Sequence, residues 1–125
     1  MTLNDAEASR AVIRRFQTRL ANAEMLPERS LRRNSSDYPL VCYINNLTAL
    51  ILSENWEAAP IFVARAAEHM AARPADSRQH AYYALAGQYL GQVVYHLTVH
   101  VGGIEFDRER IPSTIMTAGA QYPPD

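Results

Sequence analysis

The chain contains no lysine, so any basic group that meets a partner must be one of twelve arginines or four histidines. It has a single cysteine, Cys42, which excludes an intramolecular disulfide framework and fits a reducing compartment. The apolar context of that thiol, LVCYI, predicts a small packed hydrophobe. No glycine-rich phosphate loop and no GxSxG elbow occurs, which removes two common catalytic signatures. The first residues, MTLNDAEASR, lack the basic-then-apolar layout of a signal peptide, and a cytoplasmic location is the expectation. The net charge of −1 steers the molecule toward neither nucleic acid nor membrane.

A further absence is local. From Gln79 to Val101 there is no Asp, Glu, Lys or Arg, although charged residues make up 20% of the chain. The run is long enough to cross a bilayer. However, Gln88, Gln92, His96, Thr98 and His100 make its burial in lipid expensive. A buried helix or a contact surface is the expectation instead.

What is present describes one domain. A length of 125 residues with 48% apolar content supports a single proper core. Val12, Ile13, Phe16, Leu20 and Ala23 recur at helical spacing and predict a first helix over residues 5–25, with Asn4 as its cap. Residues 27–37 form a polar connection. Ser36 or Asp37 before Tyr38-Pro39 marks a second helix start, with Leu40, Ile44, Leu47 and Ile51 on one face. A hairpin turning at Asn45-Asn46 is the rival over residues 40–52, disfavoured by poor alternation and by leucine content. Pro60 opens a third helix that runs to about Ala72, and Arg73-Pro74 stops it. Asp76 caps the long fourth helix, which Gly102-Gly103 ends. Pro112 begins a short helix, and residues 118–125 form a loose tail. The expected fold is all-α, a single-domain bundle of about four main helices.

Four groups of residues are candidates for function. His96 and His100 stand four apart, so both imidazoles face one side and could meet one metal ion, with His69 on another helix as the third ligand. His80 lies about 24 Å from His96 along a straight helix and cannot join them. The zincin pattern fails because Leu97 follows His96, and the di-iron pattern fails because Ala66 and Val93 stand where glutamates are needed. No cofactor is therefore expected. The second group, Ala84, Gly87 and Gly91, makes a strip of small residues suited to close helix contact, either within the bundle or across a homodimer. The third is Tyr82, Tyr83, Tyr89 and Tyr95. A buried helix has difficulty supplying partners for so many hydroxyls, so they point to a protein-binding surface.

The fourth group is arginine. Residues 1–36 carry seven arginines against four acids, a balance of +3, while residues 37–125 carry five against nine. Arg14, Arg15, Arg19, Arg32 and Arg33 are the candidate electrostatic contacts. Arg10 and Arg14 face away from Arg15 and Arg19 by roughly a third of a turn, and no helix-turn-helix spacing is present. The leading expectation is a small non-enzymatic protein-binding module that forms homo-oligomers: an adaptor, an inhibitor or an assembly subunit. A metal- or ligand-binding bundle and an arginine-led nucleic-acid binder are the alternatives.

Overall fold

The computed structural model describes residues 2–24, 37–72 and 79–116. Helix α1 spans Thr2–Glu24, α2 Tyr38–Leu52, α3 Ala59–Ala71 and α4 His80–Tyr95. A 3₁₀ turn, Trp56–Ala58, precedes α3, and a π-helical turn, His96–Val101, continues α4. Residues 113–116 add one short helical turn. Among the described residues there is no strand, so the chain is an all-α helical bundle with four main helices. The expected cap at Asp76, the basic residues Arg32 and Arg33, and the tail at 118–125 lie outside the described residues.

Helix α1 begins upstream of the expected start, which places Asn4 inside the helix rather than at its cap. Its apolar stripe is as the spacing predicts, with Val12, Ile13, Phe16, Leu20 and Ala23 all in the core. Ser9 lies on the same stripe and is fully buried.

Helix α2 is a helix and not a hairpin. Pro39 occupies its first turn, where a missing N–H costs nothing. The Asn45-Asn46 pair does not turn the chain, because the Asn46 side chain donates back to the Cys42 carbonyl at 2.8 Å, one helical turn away. Cys42 itself is half-buried, less enclosed than its apolar neighbours suggest. The helix closes on a Schellman turn. Asn55 N–H reaches the Leu50 carbonyl at 2.9 Å, Glu54 N–H reaches Ile51 at 3.2 Å, and Glu54 takes the left-handed conformation with φ 57°.

Helix α2 packs on α3, and α1 packs on α4 and the π-helical turn. One core joins the two pairs. Alanine makes the α3 contribution thin, with Ala59, Ala64, Ala66 and Ala67 buried beside Val63. Gly102 and Gly103 end the fourth helix as expected, with φ of 80° and 72°, where an L side chain would be strained. Beyond them the chain returns to the core, burying Ile111 and Ile115. Among the described residues, no helix is long and apolar enough to cross a membrane.

Candidate functional site

Tyr82, Tyr83 and Tyr89 are buried and form no surface, contrary to the expectation drawn from their hydroxyls. Other helices supply the partners that the sequence of α4 alone does not. The Tyr83 hydroxyl donates to Asp37 Oδ1 at 2.7 Å, across the start of α2. The Tyr89 hydroxyl meets Thr48 Oγ1 at 3.1 Å and Gln17 Nε2 at 3.3 Å, bridging α1, α2 and α4. Burial pushes the Tyr89 hydroxyl above its ordinary pKa, so it stays a neutral donor and acceptor. Only Tyr95 remains half-exposed, with its ring edge toward His100 at 5.6 Å.

The small-residue strip is likewise used within the chain. Gly91 is buried, and a Cβ at Gly87 would stand 3.4 Å from Met70 Cε of α3. Ala84 is exposed. The strip is covered unevenly along its length: Gly91 is buried, Gly87 is half-buried, and Ala84, seven positions before Gly91 on the same side of α4, is exposed.

The three-histidine metal site is not assembled. His69 stacks on Tyr83 with ring centroids 6.4 Å apart, near the start of α4. His96 follows Tyr83 by thirteen positions, about 20 Å along the helix. Among the described residues, no three His, Cys, Asp or Glu side chains converge. His69 Nε2 is buried and, among the described residues, has no hydrogen-bond partner.

His96 and His100 do stand together, with ring centroids 5.6 Å apart in the π-helical turn. His96 is 3% exposed and its Nδ1 lies 3.0 Å from Ser9 Oγ of α1. The Trp56 ring meets it edge-on at 6.2 Å. Burial, then His100, then Arg10 push the imidazole down to about pKa 4, so it is neutral at pH 7. A serine beside a neutral imidazole is the pairing of a nucleophile with its base. Here Ser9 is 0% exposed and no substrate reaches it. The pair ties α1 to the end of α4.

Beside this contact lies a half-open cavity of about 100 Å³, lined by Arg10, Ile13, Arg14, Gln17, Ile51, Leu52, Glu54 and Trp56. Two features of the sequence create it. Arg10, Ile13, Arg14 and Gln17 share one side of α1 at three- and four-residue spacing. The Schellman turn then carries Glu54 and Trp56 back toward that side. Glu54 Oε1 stands 3.9 Å from Arg10 Nη1, a loose and exposed pair. Leu52, at 66% exposure, leaves an apolar rim. Arg14 is exposed and, among the described residues, has no ion-pair partner.

Of the candidate arginines among the described residues, Arg14 alone lines this cavity. Arg15 and Arg19 are exposed on another side of α1, and Arg19 lies 5.6 Å over the Phe16 ring. Sequence reasoning missed Ser9, Gln17, Glu54 and Trp56. Ser9 carried a readable signal, a polar residue four before Ile13 on the apolar stripe. Glu54 carried none, because a left-handed glutamate has no mark in the sequence. Comparison of the chain with protein-family models, curated proteins and solved structures gave no match. The site therefore defines its class through geometry alone: an all-α bundle with a small, cationic, tryptophan-walled cavity.

Proposed function

We propose that the protein is a non-enzymatic protein-binding module whose contact face is the arginine side of α1, and that its partner presents an acidic segment. The observation that carries this is the cavity beside α1, where Arg10 and Arg14 border an apolar floor and an exposed Leu52. A loosely paired guanidinium, Arg10, and the exposed Arg14 beside apolar surface suit interface anchors, since arginine and tryptophan dominate binding energy where they are desolvated. Arg15 and Arg19 extend the positive field around α1 and steer association. The tyrosines of α4 contribute by holding α1 and α2 in place rather than by touching the partner. Enzymatic chemistry has less support, because the Ser9–His96 pair is shielded.

The test compares retention on immobilised poly-glutamate, duplex DNA and single-stranded RNA at low salt. Retention on poly-glutamate that falls with salt, and falls further in the Arg14→Ala, Arg15→Ala double variant, is the expected result. Equal or tighter retention on nucleic acid moves the assignment to the arginine-led nucleic-acid binder. No retention on any of the three overturns the acidic-partner assignment.

A further inference from the structure

The cavity between α1 and the end of α2 is a small, half-open recess of about 100 Å³. A side-chain carboxylate on its methylene stem can enter it. The cavity's polar lining comes from Arg10, Arg14 and Gln17, and its apolar lining from Ile13, Ile51 and Trp56. A planar guanidinium matches a carboxylate through paired N–H donors. One carboxylate already borders the cavity, that of Glu54, set there by a left-handed backbone turn. Its 3.9 Å approach to Arg10 is longer than a charge-assisted hydrogen bond.

We infer that this cavity receives the side-chain carboxylate of one Glu or Asp from the acidic segment, and that Glu54 is an internal stand-in which the incoming group displaces from Arg10. The inference rests on the proposed module and specifies its anchor. Arg14 binds the incoming carboxylate first, because its guanidinium is exposed and has no ion-pair partner among the described residues. The methylene stem lies against Ile13, Ile51 and the indole. A phosphate dianion suits the cavity less well, since its second charge would face Glu54.

Trp56 is the single tryptophan of the chain, so its emission reports occupancy of the cavity directly. The probe is N-acetyl-glutamate N′-methylamide, whose only charge is the side-chain carboxylate. Its glutamine counterpart and inorganic phosphate are the comparison ligands. The expected result is a saturable change in Trp56 emission with the glutamate probe, roughly tenfold weaker with the glutamine one. Arg14→Ala weakens binding by about tenfold, and Glu54→Gln, which removes the stand-in charge, tightens it several-fold. Both positions are exposed, so folding is retained and circular dichroism verifies it. Equal response to the glutamate and glutamine probes, no saturable response, tighter binding of phosphate, or weaker binding in Glu54→Gln overturns the inference. Retention on poly-glutamate without any response to the small probe removes the anchor and leaves the module standing. Loss of both removes the two together.

Discussion

His96 is a titratable group enclosed between α1, the Trp56 turn and its own helix, and its surroundings decide how the fold answers acid. Burial first, then the neighbouring His100 and Arg10, disfavour its charged form and lower its pKa from 6.5 to about 4. Protonation therefore belongs to the unfolded chain, where the imidazole titrates at its ordinary value. The stabilisation is complete above pH 6.5 and is lost progressively as pH falls toward 4. At pH 5 the loss is about 2 kcal/mol relative to pH 7.5. Urea unfolding of the native chain and of His96→Asn at the two pH values isolates this contribution, because the amide can still bond Ser9 but does not titrate. The variant is expected to lose about 2 kcal/mol less stability between pH 7.5 and 5. Equal losses in both proteins would show that His96 is not responsible. The residue was visible in the sequence as half of a histidine pair. Its role was not, because the partner Ser9 lies 87 positions away and only the packed bundle brings them together.

The elements were read from the sequence more securely than their ends. Apolar spacing located α1 through α4 because each helix buries one stripe, and the stripe is written at intervals of three and four. The ends depend on backbone geometry, which leaves a weaker trace. Gly102-Gly103 announced the end of the fourth helix because glycine favours positive φ. The end of α2 is built in the same left-handed way, but Glu54 stands at the glycine position. A left-handed L-residue costs about 1–2 kcal/mol, while glycine gains extra entropy in the unfolded chain that returns up to about 1 kcal/mol. Glu54→Gly is therefore expected to stabilise the fold by up to about 1 kcal/mol, since the exposed Arg10 pair that it gives up contributes little. Chemical denaturation gives the sign directly, and a destabilised variant would mean that the carboxylate matters more than the turn. The α4 tyrosines show the converse limit of sequence reading. A helix considered alone cannot reveal that Asp37, Thr48 and Gln17 will meet its hydroxyls, so the buried tyrosines looked like a surface.

At the scale of the whole molecule, the core is completed by a segment in which the sequence marked only a short helix from Pro112. After Gly103 the chain reads IEFDRERIPSTIM, and charges dominate its first half. Arg110 reaches Glu68 of α3 through its guanidinium, which sets the segment across α3. That contact is exposed, and exposed ion pairs contribute little. The weight falls on Ile111 and Ile115, which are 1% and 7% exposed against the common core. Backbone bonds from Ile111 to Asp107 and from Ile115 to Pro112 form the turns that present them. Truncating a buried isoleucine to alanine costs about 2–5 kcal/mol, a large part of the 5–15 kcal/mol that keeps a domain of this size folded. Ile111→Ala is thus expected to lower the urea midpoint sharply, whereas Arg110→Ala leaves it nearly unchanged. The comparison discriminates between two ways of holding the segment, by apolar burial or by the ion pair. A large loss in Arg110→Ala with a small one in Ile111→Ala would reverse the assignment and make the charged contact the clasp that closes the bundle.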